Sequence, residues 1–235
     1  MPERKAAWVR PMFEAIAPRY DLLNFLISFG MHHGWRRRAV RETLRHEPRV
    51  VLDMGTGTGD LALALLRGGG GGPAVVGLDF AGSMLTIARR RAQAARAGER
   101  ARFVMGDALR PPLADGSVDA VVSGFLLRNV DGLPEVFAAM AQVLRPGGRL
   151  VILEMTPMRS RLLRPFFRLY FNRWVPMLGR VVSRHASAYT WLPQSVDEFI
   201  SAEALASLIA AAGFRDVRVR RLGLGSVALH TATRA

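Results

Sequence analysis

The chain has 235 residues, with 33 Lys+Arg against 19 Asp+Glu, a formal net charge of +14 and no cysteine. Half of it is hydrophobic, too apolar for a disordered chain and enough to build one α/β core without disulfides or metals. The missing cysteine excludes thiolate metal sites and every thiol nucleophile, while the charge favours an anionic partner, either nucleic acid or a membrane surface.

Residues 1–10 carry Glu3, Arg4, Lys5 and Arg10 with no apolar core, so no secretory signal is expected. No run of about 18 uncharged apolar residues occurs, so no spanning helix is expected either, and the location predicted is cytoplasmic. Strand and helix patterns then alternate. Residues 49–54 read as a strand, 60–67 as a helix, 74–79 as a strand and 83–97 as a helix. Strands at 102–105 and 118–123 precede a helix at 133–144, and a strand follows at 149–154. Residues 202–212 read as a helix, and 215–222 and 226–233 as two strands joined by a glycine turn. Two breakers punctuate this pattern, a loop at 68–73 (Gly-Gly-Gly-Gly-Gly-Pro) and a tight turn at 145–148 (Arg-Pro-Gly-Gly). Short apolar strands alternating with helices imply a Rossmann-like α/β fold. Its seven-stranded sheet is mostly parallel and is closed by an antiparallel C-terminal strand. Residues 1–45 and 155–196 lie outside the alternation.

The segment 50–60 is the most informative. A strand delivers Asp53, then Gly55, Gly57 and Gly59 follow at spacing two before a helix starts. A dinucleotide fingerprint spaces its glycines differently and holds a pyrophosphate at the helix N-terminus. A carboxylate at Asp53 opposes pyrophosphate but pairs with an ammonium group, which points to S-adenosylmethionine (SAM) rather than NAD. Asp79 ends the second strand, where a carboxylate accepts hydrogen bonds from ribose hydroxyls. Met84 is placed to pack on adenine, and Asp107, followed by Ala108, to accept its amino group. A generic Rossmann nucleotide site is the alternative.

Chemistry narrows the methyl acceptor. Methylation at C5 of a pyrimidine needs a cysteine that adds to the ring. Amino methyltransferases often follow the fourth strand with [DNS]-P-P-[YFW], whereas residues 123–130 read Ser-Gly-Phe-Leu-Leu-Arg-Asn-Val. The five histidines show no zinc-ligand spacing, His32-His33 reads as a polar turn, and no metal is expected.

Segments 12–24, 27–30 with Trp35, 51–60, 126–130, 144–150, 188–196 and 225–230 together resemble the ubiquinone/menaquinone biosynthesis C-methyltransferase family, of the class I SAM-dependent type. The resemblance spans nearly the whole chain. It implies one methyltransferase domain over 1–235, with a helical lid at 1–45 and an acceptor-side insertion at 155–196. It implies methyl transfer from SAM to a ring carbon of a polyprenylated hydroquinone, demethylmenaquinol foremost. By position, Thr58, Asp79, Asp107, Ala108, Ser123 and Gly124 would contact the cofactor. Tyr20, Asp21 and Asn24 would form the lid, and Arg128, Asn129 and Tyr189 would face the quinol. The chain departs from the family pattern at Gly124 (usually serine), Leu126 (usually glycine), Arg184-His185 (usually Gly-Asp) and Ile200 (usually proline).

Attack on the methyl is easiest from an ionised hydroquinone, and a free phenol has a pKa of about 10. Arg128 would stabilise the phenolate, and His185, Tyr189 or His33 would take the proton. Asp60 reads as a helix cap and Arg149 as a solvated residue at a strand entry. Residues 155–196 contain seven arginines and no acid. Within them, a helix at 161–175 sets Leu163, Phe167, Tyr170 and Trp174 on one side, and Arg161, Arg164, Arg168 and Asn172 on another. Such a helix suits peripheral contact with anionic membrane at the inner face of the cell, or packing over the substrate pocket. A homodimer is an expected possibility and nucleic acid is not an expected partner. Two other functions compete: SAM-dependent methylation of another lipophilic or phenolic molecule, and nucleic-acid binding on a methyltransferase scaffold.

Overall fold

The computed structural model describes residues 5–68, 72–160, 162–178 and 186–235, with the side chains of 186–190 outside the description. Its sheet is built from β1 (Val50–Met54), β2 (Ala74–Asp79), β3 (Ala101–Met105), β4 (Val118–Gly124), β5 (Leu144–Met155), β6 (Phe214–Leu222) and β7 (Val227–Arg234). The order is β3-β2-β1-β4-β5-β7-β6, and β7 runs antiparallel to both of its neighbours. Chain order reverses between β1 and β4, so their carboxyl ends open a crevice, the usual ligand position in such sheets.

Side-chain alternation along the strands divides the core. Val51, Val75, Val122 and Val151 face one layer with Ala39, Leu61 and Leu65. Leu52, Leu78, Val121 and Ile152 face the other with Phe137, Met140, Leu205 and Ile209. Helices α3 (Met31–Leu44) and α4 (Asp60–Leu66) therefore cover one face, and α6 (Leu133–Val143) and α9 (Ala202–Ala211) the other. Helix α5 (Gly82–Ala94) follows β2. A third cluster joins Ile16, Leu23, Met84, Phe171, Val175 and Val196. It ties α1 (Lys5–Ile16) and α2 (Tyr20–Ser28) to α7 (Arg164–Leu169), the π-helical turn Tyr170–Trp174 and α8 (Ala186–Asp197).

Four expectations change. The 145–148 turn belongs to β5 as a bulge: Val118 pairs with Leu144 and Ala120 with Arg149, so extra residues loop out, with Gly147 at φ 73°. His32-His33 lies inside α3, which restarts after Phe29 and Gly30 take left-handed conformations at φ 48° and 74°. His32 is buried, its Nδ1 lies 2.5 Å from Ser28 Oγ, and burial pushes its pKa down to about 4. Arg149 is not solvated: its side chain is 13% exposed and Nη2 donates to Glu42 at 3.2 Å. The helix expected at 161–175 widens into the π turn, which rotates the following side chains out of α-helical phase. Phe171 and Val175 are buried in consequence, while Trp174 is 54% exposed. Residues 69–71 of the glycine loop and Arg161 lie outside the described residues.

Candidate functional site

The loop after β1 is pinned to β2 by hydrogen bonds from Gly55 N and Thr56 N to Leu78 O, at 2.8 and 2.9 Å. Asp79 draws in the next turn, accepting from Gly57 N at 2.8 Å and Ala81 N at 3.0 Å. Gly57 has φ 55° and an added Cβ would meet nothing within 4 Å, so its backbone lies open to a ligand. Gly59 serves packing instead. At φ 84°, a Cβ there would come 3.1 Å from Ala88 Cβ, so its glycine lets α4 start close against α5.

These elements border a cavity of about 550 Å³ at the carboxyl ends of β1, β2 and β4. Of the sequence-selected residues, Tyr20, Gly55, Gly57, Asp79, Met84, Asp107, Ala108, Gly124 and Asn129 line it. Burial raises the pKa of the Asp79 carboxyl and that of the Tyr20 phenol, which stays neutral where α2 borders the cavity. Asp107 Oδ1 accepts from Leu109 N at 2.9 Å and shapes the rim after β3. Gly124 is bounded by Leu61, whose Cδ1 lies 2.8 Å from where a Cβ would stand.

Other selected residues sit behind the wall. Asp53 is fully buried under the loop, where Oδ2 accepts from Thr56 Oγ1 at 2.7 Å and Ala62 N at 3.0 Å. Its Oδ1 has no partner, and burial pushes its pKa up to about 7. Thr58 donates to Asp21 of α2 at 2.7 Å. Ser123 is no cavity residue: its hydroxyl donates to Met54 O at 2.7 Å and so ties β4 to β1. Arg128 is also displaced from the cavity, because its guanidinium pairs with Glu154 at 2.5 Å. Its Nε is buried without a partner and its Cζ lies 5.7 Å from the Phe125 ring centroid. His33 is exposed and stacks on His32 with centroids 3.9 Å apart, away from the cavity. His185 and the Tyr189 side chain lie outside the described residues.

Three residues that sequence reasoning passed over organise the site. Glu154 is fully buried and accepts from Leu127 N at 2.7 Å and Met155 N at 2.8 Å besides Arg128. It thereby fixes the turn Leu127–Asn129 after β4. The signal that selected Asp53, Asp79 and Asp107, an acid ending an apolar strand, marks Glu154 as well. Trp191 Nε1 donates to Asn129 Oδ1 at 3.0 Å and packs edge-on against Trp8 at 4.7 Å. Glu14 of α1 accepts from Gly82 N at 2.6 Å and Ser83 N at 2.8 Å, clasping α1 to α5. Asp60 does not cap α4, whose cap is Gly59. Its carboxylate pairs with Arg36 and Arg91. Burial opposes ionisation there, but the two guanidiniums outweigh it and hold Asp60 below the usual carboxylate range.

The site has the chemistry to hold SAM. It offers the Asp79 and Asp107 carboxylates and an open glycine turn, which the buried Asp53 holds in place from beneath.

The chain matches the ubiE/COQ5 methyltransferase family over residues 1–234. It is 47% identical over 223 residues to a demethylmenaquinone methyltransferase of Thermus thermophilus, covering 95% of this chain and 100% of that protein. To the ubiquinone/menaquinone biosynthesis C-methyltransferase UbiE of Desulfotalea psychrophila it is 41% identical, covering 96% and 90%. Among solved structures, a possible histamine N-methyltransferase of Thermotoga maritima superposes with a TM-score of 0.68 at 22% identity, covering 96% of this chain and 99% of that one. The [4+2]-cyclase SpnF gives 0.71 at 17% identity, covering 96% and 95%. The two structural likenesses carry the fold alone, since their titles name different reactions.

Proposed function

The chain belongs to the ubiE/COQ5 methyltransferase family, and from that premise we propose that it methylates a ring carbon of a polyprenylated hydroquinone, demethylmenaquinol in the first place. The observation that carries the reading is the cavity itself, with Asp79 and Asp107 in one part of its wall and Leu126 and Asn129 in another. SAM, when bound, supplies an electrophilic methyl on a sulfonium. Asp79 would accept hydrogen bonds from its ribose hydroxyls, and Met84, Asp107 and Ala108 would hold its adenine. Asp53, buried beneath the glycine turn and outside the cavity wall, would act on the ammonium end by holding that turn rather than by contact.

At the acceptor end, Asn129 faces the quinol ring and Trp191 holds its amide oxygen. Arg128 acts differently from the sequence expectation. Its charge is compensated at contact distance by Glu154, so the pair has little field left for a phenolate and serves to position the Leu127–Asn129 turn. Removing the phenolic proton falls to Tyr189 or His185, directly or through water. Phe13 and Tyr20 of the lid exclude bulk water. Methylation of another lipophilic phenol is the second reading. It is favoured by Leu126, whose side chain lies against Gly55 where the family usually has glycine.

The test is methyl transfer from labelled SAM to demethylmenaquinol and, in parallel, to a demethylated benzoquinol. Transfer to the naphthoquinol is expected, and transfer to neither would refute the reading.

A further inference from the structure

The lid layer borders the cavity on one side and presents an outer face on the other. Large apolar side chains stand in solvent on that face. Phe25 and Phe29 come from α2 and its end, and Leu162, Phe166 and Leu169 stand at helical spacing along the insertion. Phe29, Leu162 and Phe166 are 74%, 77% and 69% exposed. The two groups adjoin: Tyr170 Oη donates to Ile27 O at 2.7 Å, and the Tyr170 ring lies 5.9 Å from that of Phe29. Phe29 also sits at φ 48°, where glycine or asparagine is favoured and a bulky side chain adds strain. Apart from that one ring contact, the Phe29 side chain stands in solvent, so most of its apolar surface serves no packing among the described residues.

Charge accompanies the apolar surface. Arg164, Arg168 and Arg173 are exposed between the apolar positions of the insertion; among the described residues Arg168 alone of these approaches an acid, Asp197 at 3.8 Å, and Arg164 donates to Met158 O at 3.2 and 3.3 Å. Residues 22–31 and 155–196 contain no Asp or Glu. Beside them, Arg37 and Arg38 line a groove with Met31 and Leu224. Leu224 lies in the β6–β7 turn, which the pairing of Met155 with Val227 sets at the cavity end of the sheet.

We propose that this face seats on an anionic lipid bilayer, with Phe29, Phe166 and Leu169 entering the interfacial layer and Arg37, Arg164 and Arg173 meeting lipid phosphates. A substrate bearing a polyprenyl tail then reaches the cavity past the lid without leaving the bilayer. That consequence rests on the quinol reading, whereas the bilayer contact rests on the surface. Nucleic acid fits less well because protruding leucines and phenylalanines offer little to phosphate-backbone recognition. A two-fold contact between copies would bring these like-charged arginines together.

The test is flotation of the full chain with phosphatidylcholine vesicles, with and without phosphatidylglycerol. Phe166→Glu with Leu169→Glu is compared with Phe29→Asn, which suits the left-handed backbone, and with Val219→Glu on the edge strand. SAM binding by calorimetry verifies that each variant is folded. Wild type and Val219→Glu should float with the anionic vesicles, while the other two lose roughly tenfold or more in partitioning. Equal flotation of all variants, no flotation of wild type, or a wild-type dimer that the face variants dissociate would overturn the proposal. Methyl transfer to a short-chain demethylated quinol without vesicles separates the two readings. Transfer without vesicle binding sinks the surface and spares the function, and vesicle binding without transfer does the reverse.

Discussion

Replacing Arg128 by alanine should destabilise the protein heavily while leaving the cofactor cavity in place. Glu154 is 0% exposed and its partner's side chain only 9%, so neither charge has water to fall back on. After the substitution the carboxylate keeps two backbone donors, Leu127 N and Met155 N, but loses its only counter-charge at contact distance. Breaking a buried pair from one side costs about 3–5 kcal/mol because it strands the remaining ion. For a domain of this size that is a fall in Tm of roughly 6–20 °C by calorimetry. Arg128→Met combined with Glu154→Gln removes both charges, retains an acceptor for the turn, and should recover most of the loss. SAM affinity measured below the transition should stay within about tenfold in every variant, since neither side chain lines the cavity. A loss below about 1 kcal/mol for Arg128→Ala, or a double variant as unstable as the single one, would refute the assignment of a buried structural pair.

Asp79→Ala should abolish detectable SAM binding by calorimetry and also unsettle the glycine turn, because Gly57 N loses its acceptor; wild-type affinity would contradict the ribose assignment. Gly57→Ala should cost only about 1–2 kcal/mol of backbone strain in urea unfolding, yet weaken SAM binding by about tenfold or more as the methyl enters the cavity. Asp53 gives a pH signature in the ligand-free protein. Its folded pKa of about 7 lies above the unfolded value of 3.8, so the native state holds a proton that the unfolded state has released between those limits. Its contribution to stability is thus present at low pH and lost as pH rises through about 7. Asp53→Asn should flatten that part of the pH dependence of the urea midpoint, and parallel curves for the two proteins would count against it.

What the sequence disclosed divides along contact range. The β1, β2 and β4 segments are continuous apolar runs punctuated by glycine or acid, and each strand is buried on both faces, so local pattern and global position agree. Asp79, Asp107 and Gly57 were legible for the same reason: their place follows from the strand they terminate. Arg128 was not, because the partner that neutralises it stands 26 residues away on β5. Asp60 misled similarly, since a helix-start acid looks like a cap until α3 and α5 bring Arg36 and Arg91 beside it. Trp174 failed through phase, for no local periodicity announces the single π turn that rotates it outward.

Helix α5 has no capping side chain of its own; Ala81 stands at its cap, and the carboxylate that fills the gap belongs to Glu14, 68 residues earlier. During synthesis α1 thus emerges well before the helix whose first amides Glu14 satisfies, so this contact forms only once α5 has been made. In the finished protein the dependence reverses. An outward swing of α1 would expose the two amide donors of Gly82 and Ser83 and fray the turn that carries Met84, so admitting a ligand that way would also loosen its binding wall.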